Sequence, residues 1–528
     1  MTSPFLIGFR GVLLAAASGA WAALALAPAH AQAADVPKRG GTLVIAVNAD
    51  PRSLEPGINR DSNSDIVVNH LFEGLVGYRT DLSVGPALAN SWSISPDGLS
   101  YTFKLREGVS FHNGEKLSAA AVKWSWERKI SQSNWLCARF FNGQAGLKVE
   151  AVEAPDPSTV VFKLAKPSGL FLTQLANVQC GVLVASPASA GADGSWTPIG
   201  TGPFKMGSWK RGDALTLNRY DGYVPSKAPA SGYSGARIAH VDAVRFQVIP
   251  DADAAVAAVK TGAVDIVPDL DSSKMAELKS GGAKVMTAPG LTWSALLIQT
   301  DDPLLKNQSL RQAIAHGIDL AQLTAVRSNG LAKPNPSGVA ESMRAFSPEF
   351  LEWPKYDPAA AAALIRKAGY KGEVIKLQTN KRTVGMYDSA VMIQAMLSAV
   401  GLNVQLEVLD WSAQLDNYVN GRFQLSSFAF SPRFDPSLMY AAFVADKATA
   451  KWAQWGSQSA RDLLQESSAT TDEDARTAIF KRMHAQMRTE VPIIGLFYSP
   501  TVEAVGRAVR GYEPWASGRP LAWTAWKE

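Results

Sequence analysis

The segment SSFAFSPRFDPSLMY, residues 426–440, places an arginine where its charge needs a partner. A half-apolar run is followed by Pro432, Arg433 and Asp435. A guanidinium group is costly to bury unless an anion or a hydrogen-bond acceptor meets it, and it binds carboxylates through two parallel hydrogen bonds. Arg433 therefore has three possible partners: Asp435, another group in the same domain, or a bound anion. A surface pair with Asp435 would contribute only about 0–1 kcal/mol.

Sequence motifs of common catalytic sites are missing from the chain. There is no G-x-S-x-G elbow, no H-E-x-x-H pair and no G-K dipeptide of a phosphate-binding loop. The six histidines are scattered. Asp265, Asp269 and Asp271 in DIVPDLDSS lack the spacing of a calcium loop, so we interpret them as a solvated loop. We expect no metal and no cofactor, although a catalytic triad is a spatial arrangement that motifs can miss.

Composition indicates an ordinary globular protein with more than one domain. A chain of 528 residues is too long for a single core, and its 47% hydrophobic and 19% charged residues argue against extensive disorder. Fifteen tryptophans suit aromatic-lined clefts. The formal net charge of +5, without a dense basic tract, does not favour nucleic-acid binding. We expect a monomer.

The first residues have the pattern of a secretory signal peptide. A positive charge ends MTSPFLIGFR, the apolar stretch GVLLAAASGAWAALALA follows, and small residues stand at Ala29, Ala31 and Ala33. A membrane anchor is the alternative, but the apolar stretch ends at Pro28 and leads directly into polar sequence. We predict that residues 1–33 are removed. No cysteine stands directly after the apolar stretch, so lipid attachment there is not expected.

The two cysteines, Cys137 and Cys180, leave two alternatives open. An exported protein meets an oxidising compartment, where they could form a disulfide. They could equally be two buried free thiols, because the sequence does not show their proximity.

Strand and helix signals alternate along the chain, which predicts an α/β fold. Helix starts and stops are marked by Ser118, by Asp251 with Gly262, and by Asp357 with Gly369. The predicted strands cover 41–47, 100–111 and 159–167, and the predicted helices cover 118–130, 251–262 and 357–369. Residues 391–411 are predicted to form a helix that stops at Gly401, followed by a strand.

Four long stretches resemble family 5 solute-binding proteins of ABC importers, which include dipeptide-, oligopeptide- and nickel-binding proteins. They are WSISPDGLSYTFKLREGVSFHNGEKLSAAAVKWSWER (92–128), PIGTGPFKMGSWKRGDALTLNRYDGY (198–223), LKNQSLRQAIAHGIDLAQL (305–323) and VPIIGLFYSPTVEAVGRAVRGYEP (491–514). They occur in the order of the family. The chain is therefore identified as a member from about residue 40 to its end.

Two features inside these stretches also have direct physical interpretations. PIGTGPF could cradle an anion through its backbone, but no helix with Lys-Ser/Thr follows, so a tight crossing of two chain segments is favoured. His112, beside the Asn113-Gly114 turn, is expected to make structural hydrogen bonds rather than to contact a ligand.

The resemblance implies a bilobed periplasmic-binding-protein fold, class II-like and of cluster C, with an extra subdomain in the first lobe. The lobes would close over a solute by hinge motion, and the loaded protein would deliver it from the periplasm to permease subunits in the inner membrane. The implied segments are a signal peptide (1–33), lobe I (34–75, 196–289 and 490–528), the extra subdomain (76–195) and lobe II (290–489).

The resemblance also bears on Arg433. In peptide-binding relatives, a lobe II aspartate pairs with the amino terminus of the peptide, and its position falls on Pro432 here. Phe434 stands where nickel-binding relatives have tyrosine. The amine-binding carboxylate is therefore missing, and Arg433 reverses the local charge. This favours an anionic or zwitterionic solute, such as a modified peptide, an opine-like conjugate or another organic acid.

The candidate ligand contacts come from both lobes. They are Phe430, Ser431, Arg433, Phe434, Asp435, Trp411 and Arg382 in lobe II, Ser53, Leu54 and Glu55 in the first loop of lobe I, Trp293 near the crossing, and Arg139 in the extra subdomain. For Trp411, packing in the core is the alternative. A nickel or metal-chelate binder, an exported enzyme without recognisable motifs, and a sensory or chaperone role remain the alternative functions.

Overall fold

Strands and helices alternate throughout the part of the chain that the structure describes. The structure is a computed structural model and describes residues 36–143, 147–381 and 385–528. The predicted signal peptide lies outside the described residues. The strands are β1 Thr42–Val47, β2 Glu73–Gly74, β3 Val76–Tyr78, β4 Val84–Pro86, β5 Ala89–Ile94, β6 Ser100–Leu105, β7 Val149–Asp156, β8 Thr159–Leu164, β9 Leu183–Val184, β10 Phe204–Lys210, β11 Ala214–Arg219, β12 Ala243–Val248, β13 Ile266–Val267, β14 Lys284–Ile298, β15 Ile375–Thr379, β16 Val404–Val408, β17 Leu425–Phe430, β18 Ile493–Val505, β19 Val509–Arg510 and β20 Trp526–Lys527.

The helices begin and end where local sequence signals predict. Side chains of Ser118, Asp251 and Asp357 accept the capping hydrogen bonds of α2, α4 and α8, and left-handed Gly262 and Gly369 end α4 and α8. Within the described ranges, no helix has the length and apolar character needed to cross a membrane. The α-helices are α1 Ser62–Leu71, α2 Ala119–Ser131, α3 Phe171–Leu175, α4 Ala252–Thr261, α5 Met275–Ser280, α6 Gln308–Gly317, α7 Leu320–Arg327, α8 Pro358–Ala368, α9 Met386–Ala399, α10 Trp411–Val419, α11 Pro436–Tyr440, α12 Gln458–Ala469 and α13 Glu473–Glu490.

A ten-stranded mixed sheet runs through the molecule in the order β10-β11-β12-β1-β13-β18-β14-β17-β15-β16. Its two central strands, β14 and β18, are 15 and 13 residues long, whereas the strands on either side of them are much shorter. Along β18, β13 pairs only with the carboxyl-terminal end, and along β14, β17 pairs only with the carboxyl-terminal part. The two long strands therefore connect two separate groups of strands, which form lobe I and lobe II.

The pairing of β14 with β18 breaks at one level. Ala288 pairs with Thr501 and Thr292 pairs with Ser499, so residues 289–291 stand unpaired opposite Pro500. Proline has no N–H to donate to the ladder. We therefore place the proposed return of the chain to lobe I near 500, later than the 490 predicted from the sequence.

Each lobe has its own hydrophobic core, and the extra subdomain shares one with lobe II. Strands β5, β6, β8 and β7 form an antiparallel four-stranded sheet inside the range predicted for the subdomain, 76–195. Its residues, including Phe103 and Trp126, belong to the same buried cluster as Trp293 and Tyr440 of lobe II. The pairing of β2 with β9 brings the entry and exit of the subdomain together.

PIGTGPF is a tight chain crossing, as predicted. A Cβ atom on Gly200 would lie 2.0 Å from the carbonyl oxygen of Leu71, and one on Gly202 would lie 2.3 Å from that of His70. His112 accepts a hydrogen bond from the Gly200 N–H (3.2 Å), and its Nε2 lies 3.1 Å from the Gly202 carbonyl oxygen. The glycines therefore allow close backbone approach to α1, and His112 supports them.

A disulfide joins Cys137 and Cys180 across 43 residues of the subdomain, with their Cα atoms 5.4 Å apart. Both residues are buried in the cluster shared with lobe II. The bond therefore connects the short helical turn at Leu136–Phe140 to the segment before β9.

We expect the double variant Cys137→Ser/Cys180→Ser to lose roughly 4 kcal/mol of unfolding free energy, because the unfolded chain regains the freedom of a loop of this length. Urea unfolding of both proteins with and without dithiothreitol measures this. Dithiothreitol should destabilise only the wild type. Equal unfolding free energies of wild type and variant without dithiothreitol would contradict the prediction.

Candidate functional site

A cavity of about 850 Å³ lies at the level where the pairing of β14 and β18 breaks. Both lobes line it: Arg60, Asp269 and Arg519 from lobe I, and Arg327, Trp411 and Ser431 from lobe II. Its volume falls within the range of small-molecule binding pockets. The broken ladder thus opens a chamber between the lobes.

The lobes contact each other on both sides of this cavity. On one side, Asn329 of lobe II donates a hydrogen bond from Nδ2 to Ser272 Oγ of lobe I, at 3.0 Å. On the other side, the ring of Phe434 stacks on Tyr78 with centroids 4.5 Å apart. The two lobes are therefore in contact at these two places.

Two of the candidate lobe II residues, Ser431 and Trp411, lie on the cavity wall, and Arg433 follows the wall residue Pro432. Ser431 and Pro432 line the cavity directly after β17, and Trp411 lines it from the first position of α10. The Trp411 ring lies 5.7 Å from that of Phe428, so it both packs and faces the cavity. Arg382 lies outside the described residues.

Arg433 does not pair with Asp435. Its Nη1 donates to the backbone carbonyls of Ser431 and Pro432, both at 3.1 Å. Burial lowers the pKa of Arg433, Tyr418 opposes the change, and the charge of Arg139 adds to it. Two guanidinium groups therefore come within electrostatic reach where the subdomain meets lobe II. No described carboxylate forms an ion pair with either.

Asp435 is held inside lobe II and is not free to meet a ligand, which corrects the expectation from the sequence. It lies 2.7 Å from Arg476 in a buried ion pair and accepts the Ser437 N–H at 2.8 Å as the cap of α11. Phe434 is buried between Tyr78 and Trp515. These two residues contribute to structure and to the contact between the lobes.

Phe430 and Trp293 also belong to the core, contrary to expectation. They are paired neighbours on β17 and β14, and their rings lie 5.9 Å apart. Trp293 is fully buried and donates its Nε1–H to the Asn335 carbonyl at 3.1 Å. Alternation along the strand turns both side chains away from the cavity.

The first loop of lobe I faces the subdomain rather than the cavity. Glu55 pairs with Arg128 at 3.0 Å, Ser53 Oγ accepts the Glu55 N–H, and the Leu54 carbonyl accepts a hydrogen bond from Trp196. Ser53, Leu54 and Glu55 are absent from the described cavity wall. The predicted contact of these three residues with ligand is therefore not supported.

A cluster of charges beside the cavity in lobe I has no counterpart in a sequence motif. Asp65 accepts hydrogen bonds from Arg60 Nε at 2.6 Å and from Arg519 Nη2 at 2.8 Å. Arg519 and Asp65 have side-chain exposures of only 7% and 5%. One carboxylate thus serves two guanidinium groups, which leaves the trio with one net positive charge.

Two further carboxylates lie beside this trio. Burial raises the pKa of Asp269, and Arg519 opposes the change. Burial also raises the pKa of Glu503 to about 7, opposed by a hydrogen bond from the Tyr512 hydroxyl and reinforced by the charge of Asp269. The Asp269 side chain is open to the cavity although protein surrounds it, whereas Glu503 is 1% exposed.

Among the described residues, no group of three His, Cys, Asp or Glu side chains is arranged to hold a metal ion. The described cavity wall also contains no histidine and no cysteine. Its polar groups are arginines, carboxylates, amides and hydroxyls, which recognise an organic solute by charge and hydrogen bonding.

The cavity and the two lobes agree with a comparison to known proteins. A family model described as "Bacterial extracellular solute-binding proteins, family 5 Middle" matches residues 83–451. The chain belongs to this family. The predicted family and the bilobed α/β fold are confirmed.

Relatives of this solute-binding protein cover nearly its whole length. The glutathione-binding protein GsiB of Escherichia coli O6:K15:H31 is 26% identical over 497 residues, 89% of this chain and 91% of that protein. DppA of Helicobacter pylori, solved with the peptide STSA, has a TM-score of 0.76 at 26% identity and covers 93% of this chain and 99% of that chain. AgaA of A. tumefaciens R10, solved with agropinic acid, has a TM-score of 0.73 at 25% identity, with coverages of 92% and 99%.

The raised pKa of Glu503 predicts a stability that depends on pH. The protonated form is favoured in the fold, so this contribution is complete below the ordinary value of 4.5 and is lost as pH rises through about 7. The difference corresponds to about 3 kcal/mol of unfolding free energy. We expect Glu503→Gln to remove this dependence.

Urea unfolding of wild type and Glu503→Gln between pH 4.5 and 8.5 tests this, with exposed Glu513→Gln as control. The stability difference between wild type and Glu503→Gln should change across this range, and that for Glu513→Gln should not. A constant difference for Glu503→Gln would contradict the assignment.

The buried pair of Asp435 and Arg476 predicts a large effect of Asp435→Ala. Removing the carboxylate leaves the Arg476 guanidinium buried without its partner, at a cost of roughly 3–5 kcal/mol. Asp446, which pairs with Arg461 and is 55% exposed, provides the control: Asp446→Ala should cost less than about 1 kcal/mol. Chemical denaturation measures both, and equal costs would show that the Asp435 pair is not buried in solution.

Proposed function

We propose that this protein is the periplasmic receptor of an ABC-type importer for a peptide-like or other small organic solute that carries a carboxylate. The cavity of about 850 Å³ at the break between the lobes carries the proposal. A hinge at this level would let the lobes close on the solute, and the closed form would present it to permease subunits in the inner membrane. The predicted signal peptide supports export to the periplasm.

Arg433 and Arg139 support a carboxylate on the solute. Arg433 follows two residues of the cavity wall, and its charge is within electrostatic reach of Arg139. Two guanidinium groups without a described carboxylate partner repel each other, and an anion between them would relieve that repulsion. A carboxylate matches the planar donor geometry of arginine.

The ligands named for the relatives are consistent with this class. Glutathione, the peptide STSA and agropinic acid are all organic solutes with carboxylate groups. The described cavity wall offers no histidine or cysteine as a nickel ligand.

We expect the melting temperature of the wild type to rise in the presence of carboxylate solutes such as glutathione and trialanine. Arg433→Met, which keeps the aliphatic stem, should weaken binding about tenfold or more, because a hydrogen bond between charged groups is lost. Thermal-shift assays followed by isothermal titration calorimetry measure this.

Arg422→Met is the matched control, because Arg422 is a surface residue of lobe II paired with Asp416. Its binding constants should equal those of the wild type. No stabilisation of the wild type by any carboxylate, or equal stabilisation of wild type and Arg433→Met, would overturn the role of Arg433. Mass spectrometry of solutes that co-purify with the protein would identify the natural ligand.

A further inference from the structure

We propose that Asp269 binds a cationic group of the solute, an ammonium such as a free amino terminus, from the lobe I wall of the cavity. This inference rests on the proposed function, because it places the ammonium on a solute held in the same cavity. It assigns the site that selects for positive charge to lobe I.

Asp269 is a free carboxylate in the cavity wall. Two described carboxylates line the cavity, Asp269 and Asp271. Asp271 accepts a hydrogen bond from the Ser273 N–H at 2.8 Å as the cap of a helical turn. Asp269 forms no hydrogen bond or ion pair with any residue in the described ranges. The Asp269 carboxylate is exposed to the cavity and is therefore available to a donor or a positive charge on a solute.

The arginines near Asp269 are not its partners. Arg519 lies within electrostatic reach of Asp269, but it donates to Asp65, which Arg60 also holds. Glu503 adds a further carboxylate, with one oxygen that has no hydrogen-bond partner among the described residues. With Glu503 protonated, two carboxylates face two guanidinium groups, but both guanidinium groups are held by Asp65, so Asp269 has no positive partner of its own.

An ammonium group fits this deficit. It is a compact charge with up to three N–H donors, which can meet the Asp269 carboxylate and other acceptors together. Between the two lobes this attraction is stronger than in bulk water, because the surroundings are less polar. The site is independent of the lobe II position that Pro432 occupies, where peptide-binding relatives have their amine-binding aspartate.

The solute would therefore bind in one orientation. Its cationic group lies against lobe I at Asp269, and its carboxylate lies toward Arg433 and Arg139, where lobe II meets the subdomain. The ligand class is therefore a dipolar organic solute with a free ammonium group and a separate carboxylate. A solute with only anionic groups would leave the Asp269 carboxylate without a partner.

The test uses three pools of tripeptides: one with free termini, one acetylated at the amino end and one amidated at the carboxyl end. Each pool is incubated with the wild type, Asp269→Asn or the control Asp253→Asn, and retained peptides are identified by mass spectrometry. Asparagine tolerates the left-handed backbone of Asp269 (φ 57°), so the variant removes charge with little strain. Asp253 is exposed on α4 and pairs with Lys274.

We expect the wild type and Asp253→Asn to retain peptides with a free amino terminus and to reject the acetylated pool. Asp269→Asn should bind the retained peptides at least about tenfold more weakly in calorimetry. Preference of the wild type for free amines is measured without any variant, so it tests the inference even if Asp269→Asn does not fold.

Three results would overturn the inference, and they can be distinguished. Equal affinities of wild type and Asp269→Asn would remove Asp269 from the site. Equal retention of acetylated and free peptides by the wild type would show that no cationic group is recognised. Retention of nothing from any pool would contradict the proposed peptide-like solute, and the ammonium site with it.

Discussion

The connection between the two lobes depends on two strands, β14 and β18, that belong to both. These strands pair on either side of one interruption, where residues 289–291 face Pro500. The lack of an N–H on proline interrupts the ladder, and a Cβ on Gly290 would lie 1.8 Å from the Ser499 carbonyl oxygen, so only glycine fits this close crossing. A continuous sheet would be stiff. Both connections are interrupted at the same height, and the cavity lies where the pairing stops.

The charges are distributed across this boundary unevenly. The lobe cores are apolar, while the cavity wall holds arginines and carboxylates from separate parts of the chain. Arg60, Asp269 and Arg519 line the cavity in lobe I, with Asp65 and Glu503 beside them. Next to the lobe II wall, Arg433 comes within electrostatic reach of Arg139. Such an arrangement favours a dipolar solute in one orientation, since each end of the solute would be repelled from the wrong wall.

Local sequence signals predicted much of the fold. Capping residues such as Asp251 and Asp357, and the glycines after them, act on backbone groups a few residues away, so their effect can be read without the rest of the structure. The crossing at Gly200 and Gly202 was also predictable, because glycine-rich sequence without a following phosphate-binding helix is typical of close packing. The strand predicted to extend to residue 111 ends at Leu105, because Gly108 has a left-handed backbone that turns the chain.

The family and the alternating α/β order could be predicted from the amino-acid sequence. The partners of the charged side chains could not, because they depend on tertiary structure. Asp435 meets Arg476, 41 residues away, instead of its neighbour Arg433, and Asp65 meets Arg519 across 454 residues. The spacing of Asp265, Asp269 and Asp271 predicts a solvated loop, and the structure places Asp269 of this loop in the cavity wall. The reason is physical: capping and turns act over one turn of chain, whereas the energy of a charge depends on burial and on every charge that folding brings near it.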